Sequence, residues 1–204
     1  VDFMEGQYQR IKASSTDAQL VMDIYHRRKP SLDKLTPFAV FLIPEAESPL
    51  YQFGAQAIGY DVYDNRQILS PWASCVGDAS EYGFHLTIAD VLYLYHPRDL
   101  DLLMKEIEFV IQGIPPIKLE FQLKEGFPNK SSLSIVCEES TGVLEYLHYE
   151  MVARCYRSAA GSNYDLGVTK PDRSDSSARS NWMIQRYHAP YVLQKFQPHF
   201  TLLT

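Results

Sequence analysis

Phe84-His85-Leu86-Thr87-Ile88 and Pro198-His199-Phe200-Thr201-Leu202 are the two stretches around which this chain is organised. Each reads histidine, apolar, threonine, apolar, and the two histidines lie 114 positions apart. In an extended strand, residues i and i+2 share a face. His85 and Thr87 therefore project together, with Leu86 and Ile88 opposite, and His199 and Thr201 do the same against Phe200 and Leu202. The other four histidines (His26, His96, His148 and His188) have no Thr or Ser two residues on. The duplication predicts two related halves, each supplying one imidazole and one hydroxyl to a shared site.

Outward from these stretches the chain reads as α+β. The apolar run 38–43, closed by Pro44, predicts a buried strand. Residues 84–95 return to strand character. Pro97 then opens a helix to about residue 111, with Leu100, Leu103, Met104, Ile107 and Ile111 on one face. Residues 117–123 alternate strictly, which predicts a half-buried strand. A turn and a strand over 132–137 follow, then a helix over 141–159 with Val143, Leu144, Leu147, Met151 and Cys155 as its stripe. Short helices fit 49–58 and 190–196, and 199–204 is a final strand. Near the start, the caps at Ser14–Asp17 and the four-residue spacings Leu20/Ile24 and Val21/Tyr25 predict a helix over 14–28. The domain reading is an N-terminal helical extension (1–37) and one domain (38–204). Residues 158–180 are rich in Ser, Asp, Gly and Arg. They read as a long loop, either a surface excursion or a substrate lid.

The chain has 204 residues, 46% hydrophobic and 22% charged, which is enough to build a packed core and excludes wholesale disorder or a coiled coil. A net charge of −6 argues against a surface for long nucleic acid, but not against a pocket for one phosphate ester. Cys75, Cys137 and Cys155 form no CxxC pair, so a disulfide framework is not expected and a reducing, cytoplasmic setting is. No apolar run reaches membrane-spanning length.

Two imidazoles facing one another suit acid–base chemistry on a phosphodiester. One takes a proton from the attacking water and the other gives one to the leaving oxygen. Two Thr hydroxyls can hydrogen-bond and orient the non-bridging oxygens. This chemistry needs neither metal nor cofactor. Zinc is the competing use of paired histidines, but it wants further ligands, and no HxxxH or HExxH occurs. Asp90 sits five residues after His85, off the same-face parity. Tyr82 and Tyr191 are candidates for the pocket wall, with ordinary core or surface packing as the alternative. Arg186, and Arg173 and Arg179 in the polar loop, are candidates to pair with phosphate, with a solvated surface role as the alternative.

On its two His-x-Thr-x motifs the chain resembles the two-histidine (2H) phosphoesterase superfamily. The resemblance covers about residues 38–204. Phe38-Ala-Val-Phe-Leu-Ile-Pro44, Ser48-Pro-Leu50, Gly54, Ile58-Gly-Tyr-Asp61, Tyr82-Gly-Phe-His-Leu-Thr87 and Pro190-Tyr-Val192 with His199-Phe-Thr-Leu202 look like a branch associated with phosphonate utilisation. Ile88-Ala-Asp90 stands where that branch commonly has a Lys. The resemblance implies a bilobal fold of two pseudo-symmetric antiparallel-sheet lobes with helices outside and a central cleft. It implies hydrolysis of a small cyclic phosphate: a 2′,3′-cyclic nucleotide or RNA end, a cyclic ADP-ribose phosphate or a cyclic ribose phosphate. His85 and His199 would be the acid–base pair and Thr87 and Thr201 the phosphate binders. A monomer with no metal or cofactor is expected. A pocket that binds nucleotide or RNA ends without turnover, and ligation of RNA ends, are the alternative activities. Family members continue past the second motif, so further C-terminal residues are expected.

Overall fold

In a computed structural model, residues 13–14, 19–23, 35–77, 79–94, 96–162, 164 and 178–204 are described. They form an α+β fold on an antiparallel sheet. In chain order the strands are β1 (Ala13–Ser14), β2 (Gln19–Asp23), β3 (Thr36–Ile43), β4 (Tyr60–Asp61), β5 (Arg66–Gln67), β6 (Leu86–Leu94), β7 (Glu120–Glu125), β8 (Leu133–Glu138), β9 (Ala159–Ser162) and β10 (His199–Leu203). The helices are α1 (Pro49–Ile58), α2 (Ala79–Tyr82), α3 (Pro97–Gln112), α4 (Val143–Ser158) and α5 (Ala178–Tyr187). The main sheet runs β1-β2-β3-β6-β10-β8-β7, and β9 also pairs with β6. Every pairing in it is antiparallel. The two motif strands, β6 and β10, are thus neighbours at its middle.

Local chemistry fixes most boundaries. Ser48 caps α1, its Oγ accepting the Tyr51 N–H at 3.1 Å, and Pro49 occupies the first helical position. Gly59, at φ 84°, closes that helix in the left-handed conformation. In α3, Pro97 again leads, Asp99 sits in the first turn, and Leu100, Leu103, Ile107, Val110 and Ile111 are buried. The core is continuous. Phe38 to Ile43 of β3, Leu86 and Leu92 of β6, Phe200 of β10 and the α4 stripe all belong to it.

The structure corrects the sequence reading at four places. Gln19–Asp23 is a strand paired along β3, not part of a helix over 14–28; the rest of that span, apart from Ala13–Ser14, lies outside the described residues. Four-residue spacing over so short a stretch is ambiguous, and the long apolar edge of β3 selects strand. The strand expected at 117–123 is Glu120–Glu125, and it is exposed throughout, with Phe121 and Leu123 left 48% and 61% exposed. It is the outermost strand, so half of its alternating pattern overhangs the core. The polar stretch 158–180 is anchored at both ends, by β9 on β6 and by α5, while 165–177 lie outside the described residues. The short helix expected near 190–196 is a 3₁₀ turn at Leu193–Lys195.

Candidate functional site

The register between the two motif strands assembles the site. Leu86 pairs with Phe200. Continued by one residue on either side, that antiparallel register sets His85 opposite Thr201 and Thr87 opposite His199. A pseudo-two-fold axis normal to the sheet at the Leu86–Phe200 pair exchanges the two motifs. Opposed Cβ atoms in such a ladder lie about 4.5–5.5 Å apart and diagonal ones about 7–8 Å. The imidazoles occupy one diagonal and the hydroxyls the other. Leu86 and Phe200 point to the opposite face, both fully buried, and the Phe84 ring stacks on Phe200 at 4.6 Å.

The two motifs share local features. His85 Nδ1 lies 2.8 Å from the carbonyl of Gly83, and His199 Nδ1 lies 2.6 Å from the carbonyl of Gln197. A carbonyl only accepts, so Nδ1 carries the proton in each ring and donates it to the residue two positions back. That tautomer leaves the lone pair of each ring on Nε2. Each ring also rests on an aromatic: Phe41 at 4.0 Å from His85, and Phe127 edge-on at 5.1 Å from His199. Phe41 sits opposite Thr87 on β3, and Ser134 sits opposite Thr201 on β8. The buried Ser134 hydroxyl donates to the Phe127 carbonyl at 2.8 Å, tying down the β7–β8 turn that carries Phe127.

Burial governs the titration of the pair. It lowers the His85 pKa to about 4 against the support of the Gly83 carbonyl, with a smaller contribution from a charge on His199. Burial also lowers the pKa of His199, opposed by the Gln197 carbonyl. Both rings are thus biased toward the neutral form.

A cavity of about 490 Å³ opens beside the quartet, bounded by Thr87 and His199; His85 and Thr201 lie outside its walls. This is the size range of small-molecule sites. Tyr191 lines it, as the sequence reading proposed, and the Tyr82 ring lies 6.3 Å from that of His85. Arg186 is exposed near the end of α5 and is not a cavity residue, and Arg179 is exposed with its guanidinium on Gln194. Arg173 lies outside the described residues. The cation in the wall is instead Lys195, whose Nζ donates to Ser180 Oγ at 2.7 Å. Among the described residues no three His, Cys, Asp or Glu side chains gather as a metal site.

Two wall residues escaped the sequence reading. Asp90 appears off parity when counted along an ideal strand. In β6, however, Phe41 pairs with Thr87 while Val40 pairs with Ala89, so Ile88 is an extra, bulged residue. The bulge advances the alternation by one and brings Asp90 round to the Thr87 side, into the cavity wall. His148, on α4, donates from Nδ1 to the Ile88 carbonyl at 2.7 Å and accepts the Leu193 N–H on Nε2 at 2.9 Å. Its ring stacks on Phe196 at 4.0 Å. It thereby joins the bulge after the first motif to the segment leading into the second. Leu193 is held there at φ 55°, a left-handed conformation that costs a leucine about 1 kcal/mol or more. Neither role has a local signal, because the partners of His148 are 60 and 45 positions away in the chain. No protein-family model, curated protein or solved structure matches this chain.

Proposed function

We propose that this protein is a cyclic phosphodiesterase of the two-histidine type, its sheet reading as two lobes related about the Leu86–Phe200 pair. The reading rests on one observation above all. Two His-x-Thr motifs oppose each other across adjacent strands, each Nδ1–H is committed to the carbonyl two residues back, and both Nε2 atoms are left for substrate. A small cyclic phosphate would sit between the imidazoles, its non-bridging oxygens on the Thr87 and Thr201 hydroxyls.

In the reaction, water attacks phosphorus as one Nε2 removes its proton. The bond from phosphorus to one ring oxygen breaks, and that oxygen takes a proton from the other, protonated imidazole. The product is an acyclic phosphomonoester with one free hydroxyl. The phosphate anion itself favours the imidazolium needed for the second step, which offsets the burial that lowers both pKa values. The net charge of −6 suits a small ester in a local cleft better than a long polyanion.

Phosphorus NMR on a panel of cyclic phosphates (2′,3′-cyclic nucleotides, cyclic ADP-ribose phosphate, cyclic ribose phosphate) in ¹⁸O-labelled water tests the reading. One ¹⁸O in the monoester product, undiminished by EDTA, is the expected result. Tight binding of a cyclic phosphate with no product over hours would establish a binding module instead.

A further inference from the structure

Resting on the reading just given, we infer that Asp90 is the specificity-determining residue of this site and selects a nucleoside cyclic phosphate whose base presents N–H donors, guanine foremost. Asp90 stands three residues beyond Thr87 on β6, roughly 7–10 Å along the strand at about 3.3 Å per residue less the bulge. That is the span from a ribose-bound cyclic phosphate to the far edge of a base. One oxygen of the Asp90 carboxyl accepts the Val91 N–H at 2.7 Å. Among the described residues no other hydrogen bond or ion pair engages it. Burial raises its pKa, the expected response of a carboxyl with too few partners. The neighbouring Tyr164 and Tyr191 bring aromatic rings rather than positive charge, and burial together with Asp90 raises the Tyr164 pKa further.

The rest of the cavity completes the complement. Tyr191, Val192 and Phe196 offer apolar and aromatic wall for the flat face of a base. Asn129 Oδ1 is fully used inside its own turn, accepting from the Ser131 N–H and from the Ser131 and Ser132 hydroxyls. Asn129 lines the cavity, and with Oδ1 engaged its amide NH₂ is the end available as a donor. Together with Lys195 this puts donors in the same cavity wall as Asp90, the acceptor. A carboxylate meets N–H donors well and carbonyl edges badly, because lone pairs then face lone pairs. Guanine offers two adjacent N–H donors on one edge; adenine and cytosine offer one amino group, and uracil one ring N–H.

Steady-state kinetics on the four 2′,3′-cyclic nucleotides, and calorimetric binding of the four 3′-nucleotides, test this with wild type and Asp90→Asn. The expected wild-type order is guanosine first, and the variant should raise the guanosine KM by at least about tenfold, with kcat nearly unchanged and the order lost. Equal KM values across the four bases in wild type, or an unchanged guanosine preference in Asp90→Asn, would overturn the assignment. The binding arm does not need turnover. A protein that binds guanosine 3′-phosphate through Asp90 but cleaves nothing would sink the proposed catalysis and leave Asp90 standing. Asp90→Glu separates charge from fit: it should recover part of the guanosine preference, and failure of both variants to alter base order counts against the role.

Discussion

At His148 the fold opposes protonation. The ring is 2% exposed, its Nδ1–H is held by Ile88 and its Nε2 lone pair by Leu193, and burial lowers its pKa to about 4 from the ordinary 6.5. The unfolded chain binds this proton at higher pH than the folded one, so the stability His148 confers is complete above about pH 6.5 and declines as pH falls toward 4. The loss reaches up to about 3 kcal/mol. Urea unfolding at pH 7 and pH 4.5 should show it, and His148→Gln should shrink the difference between the two pH values. The proposed catalytic pair gives a companion expectation. With His85 and His199 both below the usual imidazole range, kcat/KM in the free enzyme should peak on the acid side of neutrality, and a plateau extending well above pH 7 would contradict the assignment. Thr87→Val and Thr201→Val, which remove only the hydroxyls, should each lower kcat/KM by about tenfold or more. The histidines and threonines were legible in the sequence because a two-residue period is local. Asp90 and His148 were not, since one depends on a bulge and the other on contacts across the fold.

The elements hold the quartet through two close approaches. A Cβ added to Gly54 of α1 would run into the Phe84 ring, which in turn stacks on Phe200 beneath the motif strands. Gly54→Ala should therefore destabilise the protein by about 1–3 kcal/mol, read by thermal or urea unfolding. Gly83 carries φ 75° and would place a Cβ against Val62, and its carbonyl orients His85. Gly83→Ala should cost activity beyond its cost in stability, measured as kcat in protein shown to be folded. Helices and buried strands with a local cap or an apolar stripe of their own, such as α1, α3, α4 and β3, were readable from sequence. β2 was not, and for β7 the strand was readable but its bounds and exposure were not, because whether a short apolar pattern becomes strand, and which of its faces is covered, depends on the neighbouring strand. For β2 that neighbour is β3. For β7 it is β8 on one side and none of the described strands on the other.

Across the whole molecule, an antiparallel sheet places two motifs from distant parts of the chain at its centre, and helices and loops build a cavity to one side. No described helix is long and apolar enough to cross a membrane. With a net charge of −6, long single-stranded RNA should compete poorly with a small cyclic phosphate, and competition assays at low salt would expose any hidden polyanion surface. The pseudo-two-fold relation makes the central claim sharp: the two imidazoles are proposed to act as one unit. The decisive measurement is turnover of the best cyclic phosphate by wild type, His85→Ala, His199→Ala and the double variant, each shown to be folded by circular dichroism. Each single substitution should abolish measurable hydrolysis, a loss on the order of 10³-fold or more, and the double variant should be no worse than either. Wild-type turnover surviving in either single variant would contradict the two-histidine mechanism.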